Sequence, residues 1–222
     1  PRETGYVLLG VMLALYSLGQ FVAAPIIGQL SDKFGRKKLL MISIAGTAIG
    51  QALFGFGILI KSVALLFAVR LFTGMSSGNI VVSQAAIADI TSPENRAKNF
   101  GLIGAAFGLG FIIGPFLGGK LSDPSLVSWF NASTPFWFAS MLSVLNLIFV
   151  FTMLKETNLF LKAGETLRIG KSVTNVIHAF NAKHLRPIFF TNFLFQIGFT
   201  FYVTFASVFL FYRFGLCLRK RW

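Results

Sequence analysis

The chain has 222 residues, of which 55% are hydrophobic and 15% aromatic, against only 12% charged. That charged fraction is about half the usual value for soluble domains, and a mean hydropathy of +0.74 places the chain among integral membrane proteins. The net charge of +13 does not point to nucleic acid. A DNA binder gathers its basic residues on a face of a polar domain, whereas here they lie between apolar segments, where they orient a chain in a bilayer.

Six apolar stretches approach the roughly 20 residues that a bilayer crossing requires: 6–30, 39–60, 63–90, 97–121, 135–154 and 187–211. Barrel-type alternation is missing, so an all-α membrane protein is expected. The start, Pro1-Arg-Glu-Thr-Gly5, is polar and lacks Met. It has no signal-peptide character and reads as the interior of a longer protein. Cys217 stands alone, so no intramolecular disulfide framework is expected, and His178 and His184 lack metal-ligating neighbours.

The first two spans meet at Gly28-Gln-Leu-Ser-Asp32-Lys-Phe-Gly35-Arg36-Lys-Lys38, which is expected to turn tightly at a membrane surface. Twelve Lys and Arg fall on that side, in the segments 33–38, 96–98 and 155–186, against Arg2, Lys61 and Lys120 opposite. The hinge is therefore expected to be cytoplasmic. The tail residues Arg213, Arg219, Lys220 and Arg221 break this rule if the last span crosses fully. Between 155 and 186, the residues Ile169, Val173, Val176, Ile177 and Phe180 keep helical spacing with basic neighbours, as in an interfacial amphipathic helix. An unstructured charged loop is the alternative.

Pro25-Ile-Ile-Gly28-Gln-Leu-Ser-Asp32 is echoed by Pro115-Phe-Leu-Gly118-Gly-Lys-Leu-Ser-Asp123 at the other side of the bilayer. Inverted three-helix repeats of this kind occur in secondary transporters. In the hinge, Gly28 is expected to allow close helix packing and Gly35 to supply a positive φ. Asp32 can meet a helix N-terminus or Arg36, whose planar fork suits a carboxylate such as Asp89. Arg70 lies about 11 Å into its span from Val63. A cation there should face the bundle interior or a wet cavity, snorkelling being the alternative. The seven acids (Glu3, Asp32, Asp89, Glu94, Asp123, Glu156 and Glu165) all lie away from mid-span. The fourth span offers Gly104 and Gly108, and Gly110, Gly114 and Gly118, at small-xxx-small spacing, with Pro115 expected to bend it. Gln20, Gln51, Asn79, Gln84, Asn146, Asn192 and Gln196 are uncharged candidates for lining a cavity, although interhelical hydrogen bonding is the commoner role of such residues.

Four motifs carry a family resemblance. The run 28–37 resembles the major facilitator superfamily signature between that family's second and third helices. Arg70-Leu-Phe-Thr-Gly74 resembles its Arg-x-x-x-Gly motif. Gly101, Gly110, Gly114, Pro115 and Gly118 fill its antiporter motif, and Lys155-Glu-Thr157 is similar to the element ending its sixth helix. The resemblance covers residues 6 to about 215 and points to the twelve-helix drug–proton antiporters, which include tetracycline exporters.

It implies an N-terminal bundle lacking its first helix (1–154), a cytoplasmic inter-bundle loop (155–186), and the first helix of the C-terminal bundle with a divergent tail (187–222). By this resemblance Gly28, Asp32, Gly35, Arg36 and Asp89 form a conformational latch. Arg70 and Gly74 serve proton exchange, and Gly101, Gly110, Gly114, Pro115 and Gly118 form a gate. Gln20, Asn79, Gln84, Asn146, Asn192 and Gln196 are then the cavity candidates. The implied partners are the lipid bilayer, protons and a small organic substrate, without cofactor, metal, enzymatic chemistry or nucleic acid. The implied setting is a multi-pass protein, monomeric at full length, in a bacterial cytoplasmic membrane. A nutrient facilitator or symporter, and a non-transporting membrane fragment, are the competing expectations.

Overall fold

The computed structural model describes residues 2–158 and 186–214. They belong to two compact units, 1–167 and 168–222. In the first, α1 (Arg2–Phe34), α2 (Arg36–Leu59), α3 (Val63–Ser76), α4 (Asn79–Ile90), α5 (Arg96–Leu121) and α6 (Thr134–Met153) follow one another, with a short 3₁₀ turn at Pro93–Asn95. In the second, α7 runs over Arg186–Phe214. The described residues are all-helical, and five spans are long and apolar enough to cross a membrane: Val7–Phe34, Arg36–Leu59, Val63–Ile90, Pro93–Leu121 and Thr134–Met153. The expected amphipathic helix around 169–180 and the tail beyond Phe214 lie outside the described residues.

The hinge is tighter than its composition suggests. Helix α1 continues through Asp32 and Lys33, and Gly35 alone separates it from α2, at φ 98°. This left-handed conformation favours glycine, and it lets the Gly35 N–H reach Ser31 O at 3.1 Å. The next turn solves the same problem with a lysine. Lys61 takes φ 55°, while the amides of Lys61 and Ser62 return to Ile58 O and Gly57 O, a Schellman-type helix end. Ser62 then accepts the Leu65 amide and so starts α3 as its N-cap.

The third expected span, 63–90, is not one continuous helix. It stops at Ser76 and restarts at Asn79. The amide and the hydroxyl of Ser77 both donate to Gly74 O, at 3.1 and 2.6 Å, so a local serine bond replaces the next rung of the helix. By contrast, Pro25 and Pro115 lie inside α1 and α5 without ending them.

Packing relies on small residues where helices cross. A methyl at Gly19 would stand 2.8 Å from Leu71 O and 3.0 Å from Met75 N, and one at Gly74 would run into Tyr16 O, so α1 and α3 touch backbone to backbone. Gly46 and Gly50 of α2 leave room for Ser76 and Thr73 of α3. Ser140 of α6 donates to Ala48 O of α2 at 2.8 Å. The buried core gathers Leu39, Leu40, Ile44 and Val82, flanked by Ile27, Leu30, Leu147, Val150 and Leu154. It lies immediately beneath the hinge and holds the ends of α1, α2, α4 and α6 together.

Candidate functional site

The hinge, the end of α4 and the residues just past α6 meet at one end of this bundle. Arg36, the first residue of α2, is their hub. Its Nη2 lies 2.7 Å from Asp32 Oδ1 and its Nε 3.0 Å from Asp89 Oδ2, while Nη1 donates to Ser31 Oγ at 2.5 Å. Ser31 is fully buried and donates its own hydroxyl hydrogen bond to Gly28 O at 2.7 Å. The Arg36 side chain is 11% exposed, against 42% for Asp32 and 29% for Asp89. The guanidinium is thus withdrawn from water while both carboxylates stay partly hydrated, an arrangement that strengthens the hydrogen bonds without burying three charges. Asp32, Gly35, Arg36 and Asp89 are therefore brought together. Gly28 sits nearby, but a methyl there would meet Val81 at an ordinary 3.7 Å, so sterics do not demand glycine.

Glu156 is the member that the sequence did not announce. Its carboxylate accepts the amides of Arg36 (2.8 Å), Lys37 (3.2 Å), Thr157 (3.0 Å) and Asn158 (3.0 Å). The N-terminus of α2, which Asp32 was a candidate to cap, is capped by Glu156 instead, and Asp32 pairs with Arg36. Partial burial works against the charge on Glu156, but the four amides outweigh it and hold its pKa below the usual glutamate value. The only signal was Lys155-Glu-Thr157 itself. Its partners are main-chain N–H groups, which no side-chain pattern reveals.

The echo at the opposite end repeats one detail. Ser122 Oγ donates to Gly118 O at 2.6 Å, as Ser31 does to Gly28. Asp123, however, takes the Ser125 amide at 2.9 Å, and its pKa is lowered chiefly by hydrogen bonds from Ser125.

Arg70 is half-buried on α3, with its guanidinium 4.1 Å above the Phe54 ring. Phe54 in turn packs against Phe136 of α6 at 4.6 Å. The buried Arg70 Nε has no hydrogen-bond partner, and among the described residues no carboxylate pairs with Arg70. Gly74, one turn on, forms the contact with Tyr16. Among the described residues, nothing packs against the motif glycines of α5. A methyl added at Gly101, Gly110, Gly114 or Gly118 would meet nothing within 4 Å, and the same holds for Gly104 and Gly108. Gly110 lies in an open apolar groove with Ile103, Ala106, Phe107 and Phe111.

The cavity candidates are scattered. Gln20 and Asn79 are half-buried, Gln84 and Asn146 exposed, and Asn192 and Gln196 exposed on α7; that groove contains none of them. Among the described residues no cluster of His, Cys, Asp and Glu could hold a metal.

A family model described as "Major Facilitator Superfamily" matches residues 3–217. A tetracycline resistance protein, class H, of Pasteurella multocida is 36% identical over 190 residues, which is 85% of this chain and 45% of that protein. A class C tetracycline resistance protein of Escherichia coli is 40% identical over 149 residues, covering 67% of this chain and 35% of that protein. A crystal structure of the human organic anion transporter MFSD10 (TETRAN) superposes with a TM-score of 0.58 at 34% identity, covering 67% of this chain and 32% of the human one. The chain thus spans less than half the length of these relatives.

Proposed function

The chain belongs to the major facilitator superfamily, and from that premise we propose that it forms part of a multi-pass secondary transporter. Its substrate is a small organic molecule, exported in exchange for protons by alternating access. The observation that carries this reading is Arg36, held at once by Asp32 at the end of α1 and Asp89 at the end of α4.

An ion-pair hub at one end of a bundle is a latch. While it is closed, the end of α4 is held to the corner of α1 and α2, and its rupture lets them part on what the charge rule makes the cytoplasmic face. Every 1.4 kcal/mol of difference between closed and open states is tenfold in their ratio, so a few such bonds suffice to bias the cycle. In the same reading Arg70 lowers the pKa of a proton-carrying carboxylate, the acids of this chain itself all lying away from mid-span. The bare glycine face of α5 is the surface on which a further helix closes the gate. The relatives' names supply the substrate classes to try, tetracycline and organic anions.

The test uses inverted membrane vesicles and follows accumulation of tetracycline and of a fluorescent organic anion, with and without an imposed pH gradient. Asp89→Asn and Arg36→Lys are expected to reduce gradient-driven accumulation at least about tenfold with unchanged protein in the membrane. Lysine keeps the charge but loses the fork. Wild-type accumulation by both variants would refute the latch, and indifference to the gradient would refute the proton coupling.

A further inference from the structure

The far end of α6 and the near end of α2 hold each other by complementary charges. A helix N-terminus favours an anion and a C-terminus a cation. Glu156, three residues past α6, accepts the first two amides of α2. In return Lys37, on the first turn of α2, donates its Nζ to Phe151 O in the last turn of α6 at 2.8 Å. Asn158 adds a third tie, donating to Asp32 O at 3.0 Å. The hinge is shaped around this contact, since a methyl on Gly35 would land on the Glu156 carboxylate. Glycine is therefore required at 35 both by its φ and by the volume Glu156 occupies.

Arg36 thus has two separate anchors. Its main-chain amide is bound by Glu156 at 2.8 Å, and its side chain by Asp32, Asp89 and Ser31. The backbone at 36 determines where the guanidinium can reach, and α6 rather than either aspartate sets that backbone. We propose that Glu156 is the positioning residue of the latch: it fixes the first turn of α2 so that the Arg36 fork spans Asp32 and Asp89 together. The inference rests on the latch reading above and adds a residue, and a helix, that the hinge motif does not contain. Displacement of the end of α6 then reaches the ion pair through Glu156, with Lys37 and Asn158 beside it.

The experiment compares Glu156→Gln, Asp89→Asn and the double variant in the full-length protein in membranes. The readouts are transport and hydrogen exchange of the amides of residues 36–38. Glutamine keeps the shape and one acceptor oxygen, so the bundle is expected to insert normally. Loss of the charge should speed exchange at 36 and 37 and lower transport about fivefold. The double variant should be no worse than Asp89→Asn alone, because both act through Arg36. Losses that multiply in the double variant, or unchanged protection at 36 and 37, would overturn the role of Glu156 while leaving the latch standing. Undiminished transport by Asp89→Asn would remove the latch and this inference with it.

Discussion

The crossing of α1 and α3 can be tested at Gly19. An alanine there would put its methyl 2.8 Å from Leu71 O, 3.0 Å from Met75 N and 3.3 Å from Gly74 C. All three are main-chain atoms, so no rotamer change relieves the clash. Restoring the oxygen to an ordinary 3.4 Å moves the two backbones apart by about 0.6 Å, a gap that forfeits roughly a quarter to a half of each dispersion contact along the crossing. Overpacking of this kind costs about 1–3 kcal/mol, and the better helix propensity of alanine returns up to about 1 kcal/mol. Gly19→Ala is therefore expected to destabilise this 222-residue chain by up to about 2 kcal/mol in SDS titrations from mixed micelles, read by circular dichroism. Gly108→Ala is the control, because nothing lies within 4 Å of a methyl there and propensity alone should leave stability unchanged or slightly raised. Equal stability of the two variants would refute the backbone-to-backbone crossing.

Two further outcomes follow from the site. Because the folded pKa of Glu156 lies below its ordinary value near 4.5, its stabilising contribution is present above that value and is lost as pH falls through the depressed folded pKa. Thermal unfolding should accordingly lose part of its stability on acidification below about pH 4.5, by less in Glu156→Gln, and an identical acid slope in both proteins would contradict the capping role. Ser31 is fully buried under Arg36, whereas Ser122 is partly exposed. A cysteine at 31 should therefore react slowly with an impermeant maleimide until Asp89→Asn opens the latch, while one at 122 reacts readily from the opposite side of the membrane. Fast labelling at 31 in the closed protein, or labelling of both from one side, would refute this arrangement.

Much of the architecture was legible because apolar run length and flanking charge are local properties of the chain. The expected spans agree with the helices to within a few residues, except at the hinge, where α1 runs on through Phe34 and α2 begins at Arg36. The break between α3 and α4 was missed because hydropathy averages over it. The cluster Ser76-Ser-Gly-Asn79 carried the signal, being rich in residues that divert backbone hydrogen bonds. At the site, opposite charges with few possible partners made Arg36 and Asp89 readable as a pair. Glu156 was unreadable in that way, since it acts on amides 120 residues away in sequence. The glycine face of α5 was expected as a packing surface, yet among the described residues nothing comes within 4 Å of a methyl placed on it.

With Gly35 as their sole link, α1 and α2 have no slack between them. One inserted residue would turn every side chain of α2 by about 100° relative to α1. Exposed Ile42 and Ile49 would swing into the buried places of Ser43 and Gly50, and Arg36 away from Asp89. Deletions carry the same penalty in the opposite sense. This corner therefore has a fixed length, and the first helix can shift the second only through that one residue.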